Sequence, residues 1–184
     1  MGGIATPLPK WAICRAADLS TFVTVGNATQ AFDRLLLAVA AITDRLPRPI
    51  VVQRGHSRVL NASWINVDFL DMDEFERLLQ RSQVVIMHGG AGSIIRALEF
   101  GKIPIVMPRR ANLGEHVDDH QFEFVSEMER GGYVCVANEP GELAEAIHRA
   151  ATNSGFRVAG AEPPLVEAVR SQLRDWELLE GKVT

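Results

Sequence analysis

Val84-Val85-Ile86-Met87-His88-Gly89-Gly90-Ala91-Gly92-Ser93-Ile94-Ile95-Arg96-Ala97-Leu98-Glu99 decides how this chain folds. The run begins with four apolar residues, rich in β-branched side chains and without polar alternation, the pattern of a strand buried on both faces. Three glycines follow within four residues of His88. Ser93 then stands as the predicted N-cap of a helix that runs to Phe100 and stops at Gly101. A glycine-rich turn between a strand and a helix leaves backbone N–H groups free and aims them at one point. The helix dipole adds roughly half a positive charge there. The expected ligand is an anion, most simply a phosphate. A tight turn with no ligand is the alternative. It leaves unexplained a histidine at the strand's C-terminal end and a glutamate two turns into the helix.

On both sides of this stretch, short apolar runs alternate with helical periodicity. Phe22-Val23-Thr24-Val25 reads as the first strand and Gly26-Asn27-Ala28-Thr29 as the first βα loop. Phe32, Leu35, Leu36, Val39 and Ile42 recur at helical spacing before Pro47. Ile50-Val51-Val52-Gln53 and Trp64-Ile65-Asn66-Val67 read as the next strands, with the turn Arg54-Gly55-His56 after the former. Asp71 or Asp73 caps a helix whose apolar face is Phe75, Leu78 and Leu79. Downstream, Lys102-Ile103-Pro104-Ile105-Val106-Met107 is a strand with its proline near the start, where it is tolerated. A polar loop from Arg109 to Glu115 leads to a helix through Gln121, Phe124, Val125 and Met128 that stops at Gly131-Gly132. Tyr133-Val134-Cys135-Val136 is the last strand. A helix with Pro140 in its first turn follows, over residues 138–151.

This alternation predicts an α/β fold over residues 21–151: a doubly wound, mostly parallel, Rossmann-like sheet. Residues 1–20 read as an N-terminal extension without periodicity. Residues 152–184 read as a linker and a terminal helix with the stripe Leu165, Val169, Leu173 and Trp176. Two readings of that stripe stand: packing on its own domain, or on a partner. In such sheets ligands bind at the carboxyl ends of the strands. The loops at Gly26, at His88 to Ser93 and at Arg109 to Gln121 are all expected there.

The bulk composition excludes several classes. The chain has 184 residues, 47% apolar and 23% charged, as in ordinary globular proteins. A net charge of −4 argues against non-specific nucleic-acid binding. Cys135 reads as a packed core thiol and Cys14 lies in the irregular N-terminal segment. Neither has metal-ligand spacing, and one possible pair is no disulfide framework, so a reducing cytoplasm is the expectation. No apolar run approaches the roughly 18 residues of a membrane span, and no signal peptide is visible. Membrane association would then run through a partner.

Several segments together resemble the C-terminal domain of glycosyltransferase family 28. They are Val23-Thr24-Val25-Gly26 with Phe32-Asp33-Arg34-Leu35, His88-Gly89-Gly90-Ala91-Gly92-Ser93, Glu99-Phe100-Gly101-Lys102-Ile103-Pro104-Ile105-Val106-Met107-Pro108, and Asp119-His120-Gln121. The likeness covers about residues 22–151. It is nearest to the stand-alone form of that domain, the donor-binding subunit of split two-subunit GT-B transferases. Gly114-Glu115-His116-Val117-Asp118-Asp119-His120-Gln121 is most similar to the bacterial exopolysaccharide type. The chain departs from the family pattern in the first loop, where Gly26-Asn27-Ala28-Thr29 replaces the frequent Gly-Thr-Thr. It departs again at Gln83, where an acidic residue is frequent.

The resemblance implies the donor half of a GT-B glycosyltransferase. A UDP-sugar is then the donor substrate, with no cofactor and no metal. The acceptor half is a second, membrane-associated subunit acting on a lipid-linked acceptor, so the chain is expected to be cytoplasmic and peripheral to the inner face of the membrane. Gly89, Gly90, Gly92 and Ser93 would cradle the donor diphosphate. His88 would donate a hydrogen bond to the departing diphosphate, or else merely brace the loop. Glu99 would accept from the ribose hydroxyls, or else be a helix-surface charge. Gln121, with Asp119 or His120, would contact the donor sugar, and Gly26 and Asn27 would let the first loop approach the phosphate or the acceptor.

Two other features are open to more than one reading. His116 and His120 lie four apart beside Glu115 and Asp119, a spacing that can hold a metal, but a His-Glu-x-x-His pattern is broken by Val117. Arg109-Arg110 reads first as a solvated basic corner, and second as a contact for an acidic sugar or a partner. At the level of function, the alternative to a catalytic subunit is a non-catalytic nucleotide-binding scaffold or regulatory subunit. A nicotinamide dehydrogenase is disfavoured because the first loop lacks Gly-x-Gly-x-x-Gly.

Overall fold

The computed structural model describes residues 21–118 and 120–152. The predicted extension, the terminal helix with its apolar stripe, and Asp119 lie outside the described residues. Six strands form one sheet: β1 (Thr21–Thr24), β2 (Ile50–Gln53), β3 (Ile65–Val67), β4 (Val84–His88), β5 (Ile105–Met107) and β6 (Cys135–Val136). They are hydrogen-bonded in the order β3-β2-β1-β4-β5-β6 and every pairing is parallel. The expectation of a doubly wound, mostly parallel sheet is met, with every described strand parallel.

Apolar residues dominate the strands because both faces are covered, with Thr21, Thr24, Gln53, Asn66 and His88 as the polar exceptions. Phe22, Val51, Val85, Met87 and Val106 point to one core. There they meet α2 (Met72–Arg81), α3 (Ala91–Glu99) and α4 (His120–Arg130) through Leu78, Leu79, Ile94, Leu98, Val125 and Met128. Their neighbours Val23, Ile50, Val52, Ile86, Ile105 and Cys135 point to the other core. That face packs on α1 (Asp33–Ala41) and α5 (Leu143–Thr152) through Leu35, Leu36, Val39, Leu143 and Ala146. Each of the Val, Leu, Ile, Phe and Met side chains among these contributes about 1.5–3 kcal/mol when fully buried. Cys135 is a free, buried thiol whose pKa burial pushes up to about 11, in keeping with a packing role.

The helix starts follow from local chemistry. Asp71 is the cap of α2: its carboxylate accepts from the Glu74 N–H at 2.8 Å, and the Glu74 side chain reaches back to form a capping box. The start of α3 differs from the expected one. Gly90, in extended conformation, is its N-cap, and the Ile94 N–H donates to the Gly90 carbonyl at 3.1 Å. Ser93 therefore sits inside the first turn, and no side chain caps this helix. At its other end Gly101 takes φ +68°, and the Lys102 N–H closes onto Ala97 O at 3.0 Å.

Candidate functional site

The sheet order reverses between β1 and β4, since β1 leads outward to β2 and β4 leads outward to β5. Doubly wound sheets take their ligands in the crevice at such a point, outside the carboxyl ends of the two strands. β1 delivers Gly26 to this point and β4 delivers His88.

Gly26 and Gly90 are shaped around the His88 ring. At Gly26 φ is +77°, and a Cβ would come within 2.5 Å of His88 Cε1 and 2.6 Å of Nε2. A Cβ on Gly90 would overlap Nε2 as well. Gly89 serves a different purpose: a Cβ there would meet Gln121 Oε1 at 2.9 Å and Val125 Cγ2 at 3.0 Å, so its absence lets α4 pack against the turn. Gly92 alone of these glycines faces open space, with nothing within 4 Å of a built Cβ. The open face of the turn is thus the first turn of α3, where Ala91, Gly92 and Ser93 have N–H groups with no intrahelical acceptor.

His88 is 9% exposed, and its Nδ1 is buried with no hydrogen-bond partner. Its pKa is lowered to about 4 by burial first, then by the Arg109 charge and, more weakly, His116, against a contrary pull from the Thr24 backbone. The ring is therefore neutral at pH 7. A neutral imidazole offers one donor and one acceptor, and an anion beside it would raise its pKa.

Arg109 corrects the expectation of a solvated corner, for it is fully buried. Its guanidinium donates to Val25 O at 2.7 Å, Glu115 O at 2.7 Å and Gln30 O at 2.9 Å, with Ala31 O at 3.5 Å. It also stacks 4.7 Å from the centroid of Phe32. Burial lowers its pKa to about 10, with Glu115 pulling the other way, so it remains a cation at neutral pH. The Glu115 carboxylate is committed elsewhere. It takes a bidentate pair from Arg34, at 2.9 and 2.8 Å, and the Arg110 N–H at 2.9 Å. Arg110 reaches Glu139 at 2.6 Å on the surface. This knot ties the loop after β5 to the first loop.

Below the first loop lies a second network. The Gly26 N–H donates to Thr24 Oγ1 at 3.1 Å, Thr24 Oγ1 donates to Gln53 Oε1 at 2.7 Å, and Gln53 Nε2 donates to Asn27 Oδ1 at 2.9 Å.

The structure thus gathers Gly26, Asn27, His88, Gly89, Gly90, Gly92, Ser93 and Gln121 at one end of the sheet. Gln121 Oε1 also accepts the Arg109 N–H, at 3.3 Å. Glu99 is not among them. It is the last residue of α3. That helix runs back toward the strand starts, where Lys102 Nζ holds Ser82 O at 2.8 Å. Glu99 instead pairs with Arg96 at 2.6 Å. Asp119 and the side chain of His120 lie outside the described residues. His116 Nδ1 faces Asp118 at 3.3 Å, and among the described residues no three His, Cys, Asp or Glu side chains converge as a metal site. Sequence reasoning missed Gln53, Thr24, Arg34 and the role of Arg109. For Gln53 a signal was present: a polar residue closing the apolar run Ile50-Val51-Val52 at the ligand end of a strand.

A six-stranded parallel sheet in this order, with a buried imidazole and a glycine turn at its switch point, defines a Rossmann-like domain, a class of fold that takes ligands at such a switch point. The family model for the glycosyltransferase family 28 C-terminal domain matches residues 20–171, and the chain belongs to this family. It is 34% identical over 124 residues to the UDP-N-acetylglucosamine transferase subunit ALG13 of Mus musculus, covering 61% of this chain and 10% of that one. To the subunit of the same name from Cryptococcus neoformans it is 40% identical over 68 residues, 36% of this chain and 32% of that one. The chain thus spans between a tenth and a third of the length of these relatives. Its fold is similar to the solution structure of ALG13, with TM-score 0.57, 19% identity, and coverage of 83% of this chain and 94% of that one. It is also similar to the glycosyltransferase SnogD from Streptomyces nogalater, with TM-score 0.58, 24% identity, and coverage of 85% and 40%.

Proposed function

We propose that this chain is the donor-binding catalytic subunit of a glycosyltransferase that moves a sugar from a UDP-sugar to a lipid-linked acceptor in glycan biosynthesis. The observation that carries the reading is the His88 ring, held between two glycines, with an unpartnered buried nitrogen, beside a helix start that no side chain caps. An anionic group is the ligand that such a place favours. The family and the names of its relatives make a nucleotide-sugar diphosphate the best candidate, with UDP-N-acetylglucosamine the first donor to test.

In this reading the acceptor hydroxyl attacks the anomeric carbon from the face opposite the diphosphate, giving inversion. The bond from that carbon to the phosphate oxygen breaks, and UDP leaves with the electron pair. The α3 amides and a hydrogen bond from neutral His88 stabilise the charge gathering on the leaving oxygens. No metal is required for that step in this proposal. The hydroxyl proton passes to a base on the facing subunit, which also binds the acceptor and holds this chain at the inner face of the membrane.

The experiment is sugar transfer by the purified chain, alone and co-expressed with the product of a neighbouring gene, using wild type and His88→Ala. The proposal expects turnover only in the complex, and its loss in His88→Ala while the complex still assembles. Equal turnover in both versions would favour a non-catalytic scaffold. Full turnover from this chain alone would overturn the two-subunit arrangement.

A further inference from the structure

We infer that Gln53 and Thr24, buried beneath the first loop, fix the Asn27 side-chain amide with its N–H2 end outward, as a hydrogen-bond donor to a phosphate oxygen of the bound nucleotide. This rests on the donor-site reading above and adds to it a donor from the loop after β1.

The polarity follows from counting protons. Thr24 is fully buried and has one hydroxyl proton to give. Its oxygen already receives the Gly26 N–H, and its proton goes to Gln53 Oε1. Gln53, 2% exposed, must then present its N–H2 end to Asn27, where it donates to Oδ1 at 2.9 Å. Turning the Gln53 amide around would leave the Thr24 proton without an acceptor in a place water does not reach, which is costly. Direction is therefore imposed at the base of the loop and transmitted outward. Asn27 is exposed, its acceptor oxygen is consumed, and its Nδ2 has no partner among the described residues.

Position does the rest. Asn27 follows Gly26, the residue whose missing Cβ admits the His88 ring. The outward amide therefore stands at the same crevice as His88 and the first turn of α3. A neutral donor there matches an oxyanion without adding charge beside an already buried Arg109. Gln53 and Thr24 act through Asn27 and are positioning residues; Asn27 is the group that touches the ligand.

The test is an NMR titration of the full chain with UDP and with uridine, comparing wild type, Asn27→Asp and Gln53→Glu. Asn27→Asp still accepts from Gln53 but presents a carboxylate oxygen outward, so UDP affinity should fall by about tenfold or more while uridine affinity changes little. Gln53→Glu keeps the relay only while the new carboxyl is protonated and can donate to Asn27. Its UDP affinity relative to wild type should therefore fall as pH rises from about 6 to about 9. Wild-type UDP affinity in both variants would overturn the inference and leave the donor site standing. An equal loss of UDP and uridine binding in Gln53→Glu, with no trend in pH, would reduce the network to a structural one and also overturn it. Failure of wild type itself to bind UDP would remove the donor site and this inference together.

Discussion

The turn after β4 is made of backbone and empty space, whereas the loop after β5 is made of buried charge. In the first, three glycines strip side chains away so that a histidine ring and a row of N–H groups stand at the crevice. In the second, Arg109 satisfies carbonyls of Val25, Gln30 and Glu115, and Arg34 holds the Glu115 carboxylate. The difference is one of division of labour. The glycine turn is open at Gly92 and can take a substitution there that blocks a ligand without disturbing the fold. The arginine loop is closed, and its substitution acts on the fold first.

The largest effect should come from breaking the closed side. Arg109→Met leaves several buried carbonyls without donors and removes the nearer of the two guanidinium groups over Phe32, Arg34 being the other. Removing one member of a buried charged network costs about 3–5 kcal/mol. Urea unfolding should show that loss. The His88 pKa should also rise in any folded fraction, because the Arg109 charge helps to depress it. An Arg109→Met protein as stable as wild type would show that the loop is not a strut at all.

The next effect joins the two sides through pH. The His88 pKa is about 4 when folded, below the ordinary 6.5, so the unfolded chain binds the proton more readily. Its contribution to stability is complete above the unfolded value and is lost as pH falls toward 4. The full loss amounts to about 3 kcal/mol. Stability measured across this window should rise with pH, and the rise should flatten in His88→Gln. Saturation with UDP should shift the His88 titration upward, since a bound anion favours the imidazolium.

Gly92→Asp probes the open side alone. No atom lies within 4 Å of the new Cβ, and an acidic residue in the first turn suits the helix dipole. Circular dichroism and melting should stay native. UDP affinity should fall by about tenfold or more, because a carboxylate now stands where the phosphates are expected. Gly90→Ala makes the contrast sharper: its methyl collides with the His88 ring and should destabilise the chain even without ligand.

These two sides were not equally legible in the sequence. The glycine turn is local: strand, glycines and helix are contiguous, and periodicity alone orders them. The six strands were found for the same reason. The arginine knot is not local. Arg109 bonds Val25, Gln30 and Ala31 across separations of 84, 79 and 78 residues, and Glu115 meets Arg34 across 81. A run of two arginines after a proline carries no trace of such partners, and exposure is its default reading. The start of α3 lies three residues before the expected one because Gly90 can serve as N-cap without a polar side chain.

The smallest effect should come from Glu99, and it separates the two ends of α3. The family pattern suggested a ribose contact there. Helical rise sets a limit on that idea: six residues beyond Ser93 place Glu99 about 9 Å further along the axis, away from the crevice. At that end it meets Arg96 at 2.6 Å, and Arg96 in turn meets Glu76 of α2 at 3.0 Å. Arg96 and Glu99 are 43% and 33% exposed, so the ion pair is screened by solvent and contributes about 1 kcal/mol or less. Glu99→Ala should therefore lower stability slightly, by an amount that shrinks with added salt, and leave UDP affinity within about twofold of wild type. The 2′-deoxy nucleotide serves as the control. If Glu99→Ala weakens UDP strongly and 2′-deoxy-UDP much less, the ribose reaches the far end of α3, and the donor site extends well beyond the crevice between β1 and β4.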